Sequence, residues 1–330
     1  MKDLTGRPHA RQDARAQPRK VMAQMIDRRF FVPRPARYFR DYLIYVAVFT
    51  ASFVWGLQVD WPLVILPWAL AAVSLHRAGL FCHEVVHSRH ASLRGFCALY
   101  TWTVALVVMV PPVRFGLPHL AHHRPGVFGT GKDPQYPLVR GNAFAMAMVL
   151  LVIPFIVPFT NLLMTVTGAL GAFRFEMALD RWATETFGFS LSSELNAEQQ
   201  AEVTRHARVT LLAFLAFVVL LPGALPFYYA IMVGGWALIT ARIPLEHELE
   251  HLAQSSGPRG QMADSFTVET PLALLVQPVG FRFHTAHHMY PGVPYHNLPE
   301  LHEELKRTSP DYRNSIISLR IAIRGPKPIR

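Results

Sequence analysis

The chain has 330 residues, of which 51% are hydrophobic and only 16% charged. A soluble domain of this size carries about 25% charged residues, and the deficit falls in blocks, so the composition excludes an ordinary soluble enzyme and points to bilayer segments separated by polar stretches. Much of the net charge of +10 lies near the N-terminus, as expected for contact with an anionic membrane surface; no base-reading motif accompanies it, so nucleic acid is not an expected partner.

The first forty residues hold eleven Lys and Arg, among them Arg28, Arg29, Arg34, Arg37 and Arg40, against three Asp. No apolar run follows a short basic start, so no cleavable secretory signal is read there. Residues 1–40 form a basic arm, expected to be disordered over its first twenty residues, and 41–330 form a single membrane domain. The positive-inside rule places the N-terminus in the cytoplasm.

Tyr42 to Leu57 and Pro62 to Phe81 read as two spans joined by a hairpin at Gln58-Val59-Asp60. Phe96 to Pro111 is apolar but shorter than the roughly 20 residues needed to cross, so 96–111 reads as re-entrant or interfacial. A full crossing there would put the histidines that flank it on opposite sides of the membrane. Ala143 to Leu170, interrupted by Pro154 and Pro158, reads as interfacial, or else as one crossing. Phe173 to His206 is charged, helix-prone and outside the bilayer. Val209 to Ile243 is too long for one straight helix across a core of roughly 30 Å; Pro222, Gly223 and Pro226 mark the break of a two-span hairpin with short arms. From Pro244 the chain is polar, a cytoplasmic C-terminal part. Cys82 and Cys97 form no C-x-x-C pair and imply no disulfide framework.

Most of the 16 histidines gather in short motifs. His83-Glu84-Val85-Val86-His87 has H-x-x-x-H spacing, and His119-Leu120-Ala121-His122-His123 and His284-Thr285-Ala286-His287-His288 share H-x-x-H-H. On a helix, residues three and four apart lie on one face, so each cluster can aim two or three imidazoles at one point. Three such clusters beside apolar runs point to a shared metal centre. A catalytic zinc takes three protein ligands and a structural one four. The eight clustered histidines, with His247 as a ninth, exceed the needs of one ion and fit two. Imidazole suits Fe, Zn, Cu and Ni alike; reduction of O2 by such a pair needs a redox-active metal, which favours iron and leaves copper open. Glu84, Glu246 and Glu250 are candidate carboxylate partners for imidazoles, or else solvated helix charge. His90, His251 and His296 are candidates to support the ligands, whereas His9, His76, His206 and His302 read as surface or packing residues.

At these residues the chain resembles the membrane fatty acid desaturase superfamily, which includes acyl-lipid and acyl-CoA desaturases and related hydroxylases and ketolases. The three clusters are similar to its three histidine boxes. Arg242-Ile243-Pro244-Leu245-Glu246-His247 is similar to the Arg-x4-His of bacterial-type members, as are Asp133-Pro134, Pro291-Gly292-Val293-Pro294 and Leu298-Pro299-Glu300-Leu301-His302 to their neighbouring segments. The resemblance covers about Ile65 to Leu305. It implies an all-α, multi-pass membrane fold with four transmembrane helices and a cytoplasmic helical cap, holding two iron ions on His83, His87, His119, His122, His123, His247, His284, His287 and His288. Arg282, where relatives often have Asn, and Glu250-His251 depart from the pattern and bear on reaction and substrate.

The activity so implied is O2-dependent desaturation of an acyl chain in a membrane lipid or thioester. Hydroxylation or ketolation of a lipid or isoprenoid on the same centre is the alternative. No flavin, Rossmann or haem motif is found, so electrons must come from an external donor of ferredoxin or cytochrome b5 type. The protein is expected in a bacterial inner membrane with both termini cytoplasmic. A metal transporter is the reading of a different class. Transport sites lie near the bilayer midplane on interrupted helices, whereas these histidines follow the ends of spans.

Overall fold

The computed structural model describes residues 26–88, 90–130, 133–134, 143–187, 193–247, 261–262, 264–271 and 273–317. The first 25 residues of the basic arm, Glu250 and His251 lie outside them. The described chain is mostly helical. Its principal helices are α1 (Pro35–Gly56), α2 (Ile65–Gly79), α3 (Phe81–His87), α4 (Arg94–Thr101), α5 (Pro112–His122), α6 (Ala143–Leu170), α7 (Phe173–Phe187), α8 (Ala197–Leu220), α9 (Leu225–Arg242), α10 (His284–Met289) and α11 (Leu298–Thr308). The strands among the described residues are a parallel pair of two residues each, Thr267–Val268 with Ile316–Ile317.

Among the described residues four helices are long and apolar enough to cross a membrane: Ile65–His87, Leu151–Leu170, Ala197–Leu220 and Pro222–Arg242. Their outward faces carry exposed Leu66, Phe155, Phe159, Leu212, Leu215 and Val219, side chains that water would penalise and hydrocarbon accepts. The protein is therefore an integral, multi-pass membrane protein. Within the bundle α1 packs on α2, α2 on α9, α9 on α6 and α6 on α8.

Several expected boundaries shift, each for a local reason. The expected first span, 42–57, lies in α1, which starts at Pro35 because proline suits the first helical turn; Arg40 and Asp41 shorten its apolar stretch. The second span runs on through the first histidine cluster to His87. Residues 143–170 form one continuous helix containing Pro154 and Pro158, of which Leu151–Leu170 can cross, rather than an interfacial pair. The hairpin expected over 209–243 turns at Pro222–Ala224, but its first arm is not short. It begins at Ala197, where Asn196 accepts from Gln199 N and the Gln199 side chain accepts from Asn196 N, a reciprocal cap that extends the helix through its charged opening turns.

The segment expected to be re-entrant is sharply bent: Ala91–Val107 and Pro112–His122 meet at 102°, the geometry of a broken span or of a re-entrant loop. Met109 at the bend has a positive φ of 59°, and the carbonyls around it have left the helix ladder. Buried irregular backbone at membrane depth is stable only when its polar groups find partners. Tyr228 Oη donates to Val107 O at 2.6 Å and Asn161 Nδ2 to Val108 O at 3.0 Å, so α9 and α6 supply them.

An aromatic cluster locks this half to the rest. Tyr38 packs edge-on against Phe96 at 5.1 Å and Tyr295 at 5.0 Å, and Phe81 against Phe96 at 5.5 Å, contacts worth about 0.5–1.5 kcal/mol each beyond burial. A second core of Phe30, Phe283, Tyr290, Leu301, Leu305 and Tyr312 forms the cap over the histidines. The end of the basic arm docks on that cap: Asn297 Nδ2 donates to Phe30 O and Val32 O, and Arg29 pairs with Glu300 at 2.8 Å.

Tyr228→Phe is expected to lower stability by about 1–3 kcal/mol, the cost of stranding a buried carbonyl, with no change in packing volume. Thermal unfolding in detergent micelles measures this; an unchanged midpoint would show that the bend does not depend on that hydrogen bond.

Candidate metal centre

The nine predicted ligands come together, but not cluster by cluster. One group comprises His83, His87, His119, His123 and His287, the other His122, His247, His284 and His288, and within each the facing nitrogens lie within 4.8 Å of one another. The helix period explains the partition. In H-x-x-H-H the first and last histidines are four apart and share a side, whereas the middle one points away. Thus His119 and His123 join the first group and His122 the second, while His284 and His288 join the second and His287 the first. The expectation that each cluster aims at a single point is corrected for the two H-x-x-H-H boxes, which bridge both groups.

Eight of the nine are buried, and His87 is half-buried. In the first group the Nε2 of His287 lies 2.9 Å from that of His83 and 3.1 Å from that of His123; His123 lies 3.2 Å from His119, and His119 2.8 Å from His87. In the second, His284 Nε2 is 2.7 Å from His247 Nε2 and 3.0 Å from His288 Nε2. A ring nitrogen carries one proton or one lone pair, so a nitrogen facing two others can serve only one of them well. Convergence of several lone pairs in a buried site is relieved by a cation. Ligands bound to one ion at about 2.0–2.1 Å sit at such mutual separations, so the residues fit a metal in each group. Burial holds His247, His284, His287 and His288 well below the ordinary histidine range, with neighbouring imidazoles adding to the shift, so these rings are neutral at neutral pH, the form that binds metal.

Neighbouring groups orient the rings. Asp133 Oδ2 lies 2.8 Å from His122 Nδ1 and accepts from Gly129 N at 2.8 Å; an aspartate so held fixes the imidazole with Nε2 facing inward. This role was not read from the sequence, where Asp133 stood out only through family resemblance, because a loop carboxylate eleven residues away has no helical spacing to betray it. His247 Nδ1 lies 3.2 Å from Asp264 O. Glu84 accepts from Tyr38 Oη at 2.6 Å and from Tyr295 N at 3.1 Å, and sits 3.7 Å from His83 Nδ1. Glu246 does not face an imidazole; it lies 3.1 Å from Arg242 Nε.

The remaining candidates lie elsewhere. His90 caps a short turn through Ser92, and His296 Nε2 accepts from Arg34 N. His302 contacts Tyr312 Oη and Glu269, and Arg282 stacks over Phe283 at 4.4 Å. His206 Nε2 donates to Thr101 O.

Both groups open on one cavity of about 440 Å³. His83, His119, His122, His247 and His284 form its polar wall, and Leu75, Leu80, Met109, Phe115, Met164 and Trp236 much of its apolar lining. Its size and lining are those of a site for a small or chain-like apolar molecule.

A family model described as fatty acid desaturase matches residues 59–320. The chain belongs to that family. It is also similar to the ceramide hydroxylase of Caulobacter vibrioides (strain NA1000 / CB15N), with 25% identity over 288 residues, 83% of this chain and 82% of that protein. The protein is thus a lipid-modifying oxidoreductase of the desaturase and hydroxylase type.

The purified protein is expected to bind two metal ions, and Asp133→Asn to weaken binding about 10- to 100-fold. Metal analysis and chelator competition measure both, and unchanged affinity would remove Asp133 from the centre. The depressed histidines also set a pH dependence. Below the ordinary histidine pKa of 6.5 the unfolded chain takes up protons that the metal-free native state refuses. Stability of the metal-free protein is therefore expected to be level above about pH 7 and to fall as pH drops through 6.5, read as a declining thermal midpoint.

Proposed function

We propose that the two histidine groups hold two iron ions and that the protein uses O2 to oxidise an unactivated C–H bond in the hydrocarbon chain of a membrane lipid. The observation that carries this reading is the pair of adjoining imidazole groups on the wall of one apolar cavity. When bound, a pair of redox-active ions supplies the oxidising power that the side chains lack. The protein supplies position and dryness. His83, His87, His119, His123 and His287 would hold one ion, and His122, His247, His284 and His288 the other. Asp133 keeps His122 turned inward, and the apolar wall excludes water and confines the chain.

We infer hydroxylation as the first outcome, supported by the similarity to a ceramide hydroxylase. Desaturation is the second reading, supported by the description of the family. Either reaction consumes O2, two electrons and two protons: hydroxylation leaves one oxygen in the lipid and one in water, while desaturation removes two hydrogens from the lipid and leaves both oxygens in water. Both need an external electron donor of ferredoxin or cytochrome b5 type. The substrate enters from the bilayer, and both termini face the cytoplasm of a bacterial inner membrane, as the basic residues before α1 favour.

Mass spectrometry of lipids from cells making the wild type or His287→Ala tests the reading. Hydroxylation predicts species heavier by one oxygen in the wild type alone; species lighter by two hydrogens would establish desaturation instead. Lipids that do not differ, from cells shown to contain iron-loaded wild type and supplied with a sphingolipid, would sink both.

A further inference from the structure

Nine buried side-chain nitrogens and oxygens among the described residues have no hydrogen-bond partner. Four are the Nδ1 atoms of His83, His123, His284 and His288, within the metal centre. The other five are His76 Nδ1, Arg242 Nε and Nη1, Glu246 Oε1 and Gln277 Oε1. Arg242 Nε and Glu246 Oε1 are 3.1 Å apart but out of line for a hydrogen bond. His76 Nε2 donates to Val276 O at 3.2 Å, and Gln277 Nε2 donates to Leu245 O at 3.3 Å, tying α2, the end of α9 and the following turn around one point. Stranding one buried polar atom costs about 1–3 kcal/mol; Arg242 Nε and Glu246 Oε1 answer each other's charge as an ion pair, but His76 Nδ1, Arg242 Nη1 and Gln277 Oε1 have no counterpart and call for a ligand.

His76, Arg242 and Glu246 all line the cavity. Their chemistry defines what fits. Arg242 offers two N–H donors. Glu246 offers an acceptor oxygen, and His76, whose Nε2 holds the proton, offers the lone pair of Nδ1. The cation and anion already face each other, so a charged ligand would upset the balance. A neutral group that accepts from Arg242 and donates to Glu246 or to His76 fits, a hydroxyl or a secondary amide, and a lipid that carries both has the two donors that meet all three residues. An ester only accepts, and would leave Glu246 and His76 unmet.

We propose that His76, Arg242 and Glu246 form a polar subsite that binds the hydroxyl or amide of a neutral lipid and so sets which carbon is oxidised. This rests on reading the cavity as the lipid site. The subsite adjoins the histidines: the Arg242 guanidinium lies 4.0 Å over the Phe281 ring, whose centroid is 4.6 Å from that of His83, and Glu246 immediately precedes His247. A lipid anchored there presents to the metal centre the carbons next to its polar group, not the middle of its chain. Arg242 and His76 are positioning residues in this scheme and touch no reacting atom.

The test is equilibrium binding to the full-length, iron-loaded protein in detergent micelles, without reductant so that nothing turns over. The probes are an N-acyl amino alcohol and an alkyl ester of the same chain length. The wild type is expected to prefer the amide about 10- to 100-fold, the range of hydrogen bonds to charged groups. Arg242→Met and His76→Leu are each expected to lose most of that preference while keeping ester affinity and bound iron. His76→Leu lies seven residues from the nearest proposed ligand and decides the matter if Arg242→Met loses iron. Equal wild-type binding of both probes, or a preference that survives His76→Leu, would overturn the subsite. Because no turnover is involved, such a result would leave the proposed oxidation standing; failure of both lipids to bind would overturn the cavity reading with it.

Discussion

Nine imidazoles turned towards one another in a buried space are the constraint around which this molecule is arranged. Each could be satisfied by water at a surface. Packed with their Nε2 atoms 2.7–3.2 Å apart, they cannot be satisfied by one another, because each nitrogen has a single proton or a single lone pair to offer. Burial keeps the cap histidines neutral, which removes charge repulsion and leaves the convergence of lone pairs as the problem a cation solves. The fold holds these rings in place through groups that are not ligands, such as the carboxylate of Asp133.

The membrane half serves the same end by breaking its own regularity. A straight crossing between the first two clusters would separate them. The 102° bend prevents that, and it stands because α6 and α9 donate to the freed carbonyls through Asn161 and Tyr228. The bend contributes Met109 and Phe115 to the cavity wall, so the device that gathers the ligands also shapes the space before them.

The cap is coupled to the spans through Glu84. Its buried carboxylate accepts from Tyr38 on α1 and from the backbone of Tyr295 beyond the third cluster, so one residue beside His83 ties three distant segments together. The aromatic rings of Tyr38, Phe81, Phe96 and Tyr295 pack around this junction. Glu246 differs: it pairs with Arg242 and lines the cavity, and its Oε1 makes no hydrogen bond.

The ligands were legible because histidine spacing is a local property: residues three and four apart on a helix meet wherever that helix lies. Membrane character was legible in the same way, as runs of apolar side chains, and so was the hairpin break at Pro222. Helix ends were read less well where capping chemistry, as at Asn196, carries a helix past its apolar stretch. The sequence by itself thus determined a helical membrane protein with histidine clusters able to hold metal. Only the tertiary structure decided how nine histidines divide into groups of five and four, which carboxylate supports which ring, and that His76, seemingly a packing residue, stands beside Arg242 and Glu246. These depend on contacts between segments up to about two hundred residues apart, which no spacing along the chain encodes.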